Sequence, residues 1–156
     1  MSEFIYLSRE RLVEIEKELN ELKTTGRKDM AQRIAEARSH GDLSENAEYD
    51  AAKDEQGLLE LKISKLEELL SKASIIDISN MPKDQVHILS TVKVKNLNNN
   101  KEFTYTLVSP EEADLQKGKI ALTSPVGKSL MNRKVGETVN AKVPAGLIKF
   151  EILSID

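Results

Sequence analysis

Along the first half of the chain, apolar residues return every three or four positions. Leu12, Ile15, Leu19 and Leu22 set the rhythm, and Met30, Ile34 and Ala37 resume it. This spacing predicts one helix from Ser8 to about His40, with Ser8 as cap and Arg9, Glu10 and Arg11 in the first turn. Gly26 interrupts it at a cost of roughly 1 kcal/mol relative to Ala, so a bend or weak point is expected near Thr24–Gly26. A second helix is predicted from about Leu43 to Ala73. Its seam is Tyr49, Ala52, Gln56, Leu59, Ile63, Leu66, Leu70 and Ala73, a 3-4-3-4 repeat. Both stripes are narrow, which points to an antiparallel coiled-coil hairpin. At 1.5 Å per residue, about thirty residues make a rod on the order of 45 Å long. The base of the rod is rich in Leu, whereas the half nearest the turn uses Ala, Gln and Tyr. The tip is slim and polar.

Beyond residue 80 the period changes to two. Segments 74–79, 90–97, 101–108, 119–124, 137–143 and 147–155 read as strands, and NLNNNKE (96–102) as a hairpin turn. PVGKSLMN (125–132) reads as a short helix with Ser124 as cap and Pro125 at its first position. All four prolines lie in this half, where proline does not have to be fitted into long helices. The expectation is an α+β chain: a helical hairpin over 1–79, then a small antiparallel-sheet domain over 83–156.

Composition narrows the classes. Hydrophobic residues make up 39% of 156, enough for a real core, but aromatics are only 4% and Trp is absent, which disfavours a base-stacking platform. With no cysteine, disulfides and thiolate metal sites are excluded, and a reducing cytoplasm is compatible. MSEFIYLSRERL has neither a basic start nor a long apolar run, so no signal peptide is expected, and no segment has the apolar length of a membrane span. A soluble, cytoplasmic monomer is the expectation. Residues 1–80 carry 12 Lys/Arg against 18 Asp/Glu, and residues 81–156 carry 11 against 8. Neither half has the basic excess of an autonomous duplex-DNA binder.

Chemistry concentrates at the turn between the helices. ARSHGDLSENAEYDAAKDEQ (37–56) places six carboxylates, Asp42, Glu45, Glu48, Asp50, Asp54 and Glu55, around the single Gly41. One reading of Asp42-x-x-Glu45 is a capping box that also complements the helix dipole. One cap does not need six carboxylates, however, and their mutual repulsion is a cost. The other reading is metal chemistry. Mg²⁺ takes a few carboxylate oxygens and keeps several waters, so two carboxylates on an exposed turn hold it weakly. They make half of a site, complete only if another molecule supplies the rest.

The same twenty residues resemble the tip signature of the Gre family of bacterial transcript cleavage factors. SPVGKSLMNRKVGETV (124–139), the helix pattern and the domain order agree, so the likeness covers nearly the whole chain. It implies a coiled coil that enters the secondary channel of RNA polymerase, followed by an FKBP-like domain. By position the family's acidic pair falls on Asp42 and Glu45, which would help hold the second catalytic Mg²⁺ and its attacking water. The resemblance further implies that the polymerase cuts its own backtracked RNA, with no hydrolytic activity expected of this chain itself. The resemblance also supports Arg27 and Arg38, eleven residues apart and so nearly on one helical face, as contacts to the phosphates of the nascent RNA 3′ end. The plainer alternative is a solvated surface. Lys28 and Arg33 point elsewhere.

Asn46 and Tyr49 complete the tip as support, Tyr49 by seam packing. His40 and His87 are read as solvated or loop histidines. Where the family commonly has Arg-Pro, this chain has Arg27-Lys28, and Gly26 is the expected substitute for the missing bend. Pro144-Ala145-Gly146 replaces the family's usual Pro-Gly-Gly at a hairpin turn. A prolyl isomerase pocket needs an aromatic lining, and only Phe103, Tyr105 and Phe150 are available. Docking on the polymerase through the 119–135 region is therefore the expected role of the second domain. Two other functions remain open: a channel-binding inhibitor of the same fold, and a coiled-coil adaptor with a vestigial isomerase domain.

Overall fold

The computed structural model describes residues 4–41 and 46–156. It contains a helical hairpin and a sheet domain, and the order of elements follows the two grammars of the sequence. Strand β1 (Ile5–Leu7) precedes helix α1 (Arg9–Glu21), a π-helical turn (Leu22–Gly26) and helix α2 (Arg27–Ser39). Helix α3 (Ala47–Ser71) returns antiparallel and leads into strand β2 (Ala73–Ile75).

Every predicted seam position of α3, from Tyr49 to Leu70, is buried or half-buried, and Ala52 and Ile63 are fully buried. On the first arm the inward set is Leu12, Ile15, Leu19, Leu22, Gly26, Met30, Ile34 and Ala37. From Leu22 to Ile34 this set makes three successive four-residue steps. In a 3.6-residue helix those steps overshoot whole turns by about 120° in total. A π turn absorbs the excess by inserting one residue, and the Arg27 N–H accordingly donates to the Leu22 carbonyl, five residues back. The Thr24 hydroxyl donates to the Asn20 carbonyl at 2.8 Å. Gly26 lies opposite Leu59, whose Cδ1 would sit 3.4 Å from an added Cβ. The weak point expected at Thr24–Gly26 is thus a phase correction within a continuous helical arm.

The C-terminal half forms strands β3 (Thr91–Asn96), β4 (Lys101–Val108), β5 (Lys119–Ala121), β6 (Thr138–Val143) and β7 (Gly146–Ile155), with helix α4 (Pro125–Leu130) between β5 and β6. They make one sheet in the order β5-β4-β3-β7-β6. Asn96 and Asn100 close the first hairpin, Asn100 with φ +62° and its N–H on the Asn96 carbonyl at 2.7 Å. Pro144 and Ala145 close the β6–β7 hairpin, opposite Val143↔Gly146. Ser124 caps α4 by accepting from the Gly127 N–H at 3.1 Å, with Pro125 at the first position.

Three details depart from expectation. The β4–β5 pair is parallel, so the sheet is not wholly antiparallel. The crossover between these strands is short, the ten residues 109–118, and it carries two 3₁₀ turns. Of the expected strand 74–79, only the start pairs, and Ile78–Asn80 is a 3₁₀ turn capped by Asp77. The partner of β2 is β1, whose three residues are too short for a periodicity to register.

Alternation sends Val92, Val94, Leu107, Ile120, Val139, Ala141, Phe150 and Ile152 into one core, a register shift between β3 and β7 brings Ile155 to join them, and Val86 and Leu130 belong to the same cluster. The compact units are Glu10–Ala73, and Met1–Arg9 with Ser74–Asp156. The bounds expected from proline distribution, 1–79 and 83–156, differ from these at the β1–β2 strand pair. There the Ile76 N–H donates to the Leu7 carbonyl and the Tyr6 N–H to Ser109 Oγ.

Candidate functional site

At the far end of the hairpin, α2 stops at Ser39 and His40 closes it, its N–H donating to the Ala37 carbonyl at 3.2 Å. Gly41 follows with φ +143°, a conformation that favours glycine. Asp42 and Glu45, the predicted acidic pair, lie outside the described residues. The description resumes at Asn46, which is the N-cap of α3. Its Oδ1 accepts from the Tyr49 N–H at 3.1 Å, and its Nδ2 donates to the Ala37 carbonyl across the turn. Asn is among the best N-cap residues, so α3 starts with its cap satisfied by Asn46. The capping-box reading, with Asp42 as the cap of this helix, does not apply to an α3 that begins at Ala47.

Asn46 thus caps α3, and Tyr49 follows in its first turn. The Tyr49 ring is half-buried, and the Arg38 guanidinium carbon lies 5.7 Å from its centroid, within cation–π range. Arg38 is exposed and has no carboxylate partner among the described residues. Arg27 is placed differently. It makes a fork to Glu60 on α3, Nε to Oε2 at 3.1 Å and NH2 to Oε1 at 2.8 Å. That hydrogen bond raises the Arg27 pKa and holds Glu60 below the ordinary carboxylate range. The two arginines expected to act together are thus in different states, one committed across the hairpin and one stacked at its tip.

Of the remaining tip carboxylates, Glu55 takes Arg33 and Glu48 takes His40, with 2.5 Å between Glu48 Oε2 and His40 Nδ1. Asp50 and Asp54 are exposed and carry no ion pair among the described residues. Sequence reasoning missed the His40–Glu48 contact. Eight residues separate the two across a turn, so helical spacing gives no signal for it. No group of three His, Asp or Glu side chains among the described residues could hold a metal by itself.

In the sheet domain, Tyr105, Leu115, Ile120, Pro125 and Val126 are among the residues that line an apolar cavity of about 350 Å³. Phe103 stacks on Tyr105 at 5.9 Å, and Phe150 meets Tyr105 edge-on at 6.4 Å from within the core. Tyr105 is thus the one aromatic residue that lines this cavity.

Two family models match the chain. "Transcription elongation factor, N-terminal" covers residues 5–75, and "Transcription elongation factor, GreA/GreB, C-term" covers 81–156. The chain belongs to the GreA/GreB family. It is 49% identical to the transcription elongation factor GreA of Chloroherpeton thalassium and 51% identical to that of Flavobacterium johnsoniae, in each case over 99% of this chain and 98% of the relative. Among solved structures, the transcription factor Gfh1 matches with a TM-score of 0.50 and 24% identity, over 99% of both chains, a likeness of fold. No helix among the described residues is long and apolar enough to cross a membrane.

Proposed function

We propose that this chain is a GreA-type transcription elongation factor. Its hairpin enters the secondary channel of RNA polymerase and stimulates the polymerase's own cleavage of backtracked RNA at the 3′ end, which rescues arrested complexes. The observation that carries this reading is the cap of α3. Asn46 caps the helix that begins at Ala47, so that task does not fall to Asp42 or Glu45, and we assign these two carboxylates to chemistry outside the chain.

The donor set fits a shared Mg²⁺. Asp42 and Glu45 offer hard carboxylate oxygens with no competing thiolate, and the ion, once held jointly with the polymerase, supplies charge neutralisation and an acidified water. This chain's part is to present the two carboxylates at the end of a narrow hairpin, with Asn46 and Tyr49 supporting them. Arg38, with no carboxylate partner among the described residues, is the better placed of the two arginines to meet RNA phosphates. Arg27 must first exchange Glu60 for RNA. The sheet domain serves as the dock, its apolar cavity and the 119–135 region forming the contact outside the channel.

The test replaces Asp42 by Asn and Glu45 by Gln and measures release of short 3′ fragments from a halted, backtracked polymerase. Stimulated cleavage is expected to fall by orders of magnitude while binding and folding persist. A double variant that binds, folds and stimulates like the parent would remove Asp42 and Glu45 from the mechanism. Labelled RNA incubated with the protein and Mg²⁺ but no polymerase should stay intact.

A further inference from the structure

We propose that His40 and Glu48 are a positioning pair, which acts in stimulated cleavage by fixing the two feet of the turn that carries Asp42 and Glu45. This rests on the function proposed above. His40 is the residue that ends α2, and Glu48 lies in the first turn of α3. Their 2.5 Å contact therefore ties the last residue of one arm to the start of the other, over a turn of only a few residues.

Two charged neighbours among the described residues have partners of their own. Arg33, Glu36, Ala37, Ala51 and Ala52 line the same hollow of about 270 Å³. Arg33 is held by Glu55, and Glu36 accepts from Gln32 Nε2 at 3.2 Å. Nor does either helix end need the contact. The backbone of His40 already closes α2 on Ala37, and Asn46 already caps α3.

Both side chains are more than half exposed, at 59% and 67%. Exposed pairs add little to folding stability. A reacting geometry is far more sensitive, since a displacement of about 1 Å at a catalytic group can cost on the order of 100-fold in rate. The effect of this contact should therefore appear in the cleavage rate and scarcely in stability.

The test uses full-length His40→Ala, Glu48→Ala, the double variant and His40→Asn, whose amide N–H stands near the position of the imidazole Nδ1. Each is assayed on backtracked polymerase for saturating cleavage rate and half-saturating concentration. Each single Ala variant is expected to lose roughly tenfold in saturating rate, with half-saturation and melting temperature nearly unchanged. The double variant should lose no more than the worse single variant, because one contact is removed only once. His40→Asn should recover most of the rate.

Parental rates in the single variants, multiplying losses in the double variant, or a loss explained by weaker polymerase binding would each overturn the pairing. If the parent itself does not stimulate cleavage, the proposed function fails and the positioning role with it. Side-chain NMR of the free protein then decides whether the contact exists. Glu48→Ala should shift the His40 ring signals, and unchanged signals would overturn the contact as well.

Discussion

The hairpin and the sheet domain bury their residues in opposite ways. Among the described residues between Glu10 and Ala73, only Ile15, Ala37, Ala52 and Ile63 are buried hydrophobics, along a narrow seam. The sheet domain gathers eleven buried hydrophobic residues into one cluster. The glycines register the difference. An added Cβ at Gly57, midway along α3, meets nothing within 4 Å, whereas at Gly127 in α4 it would lie 2.2 Å from the Ala121 carbonyl oxygen. A thin seam tolerates change along most of its length and can carry an exposed, charged end. A thick core dictates its residues and suits a rigid dock. On the function proposed above, the chemistry falls on the part that folding constrains least.

The largest way to break this contrast is the tip double variant Asp42→Asn/Glu45→Gln. Its cleavage stimulation should fall by orders of magnitude, with a melting temperature within a few degrees of the parent, as calorimetry and the backtracked-complex assay would show. A large drop in stability would mean that the tip is part of what holds the hairpin together.

Gly127→Ala comes next. The close approach of the Ala121 carbonyl forces backbone movement, and a loss of about 3 kcal/mol is expected in the sheet domain, read by chemical denaturation. Gly57→Ala is the matched change in the hairpin and should stabilise by roughly 1 kcal/mol through helix propensity alone. Gly26→Ala should gain less. Its Cβ meets Leu59 at 3.4 Å, and it sits in the π turn that keeps the seam in phase. Deleting Thr25 sharpens the point. An arm relieved of the extra residue should return to regular α-helix and keep its melting temperature, whereas deleting Ala35, within α2, should rotate the seam and lower it.

The smallest effect concerns acid. Arg27 holds the folded-state pKa of Glu60 below its ordinary value, so the pair's stabilisation is present above the ordinary carboxylate range. It is lost as pH falls through the lowered value. Glu60→Gln should therefore lower the melting temperature slightly at neutral pH and flatten its decline towards pH 3. Because the pair is exposed, the difference should also shrink in high salt.

Much of this was legible in the residues. Periodicity gave both helices, the inward set of α3 and the strands β3, β4, β6 and β7, because each buries one face and must repeat with its own geometry. The carboxylates at the turn, with Asn46 and Tyr49 beside them, stood out as a composition that a simple hairpin does not require. What periodicity cannot carry is a contact between segments whose spacing is set by neither 3.6 nor 2. The parallel pairing of β5 depends on the path of residues 109–118. The β1–β2 pair joins residues about 70 positions apart. The choice of Asn46 as cap fixes where α3 begins, and through it which carboxylates face a helix end. Arg27 on Glu60 and His40 on Glu48 are likewise decided only when the two arms meet. The sequence by itself determined which faces turn inward and where charge collects, since burial and periodicity are local. Only the tertiary structure decided which of the described charges neutralise one another, because that choice belongs to pairs of segments.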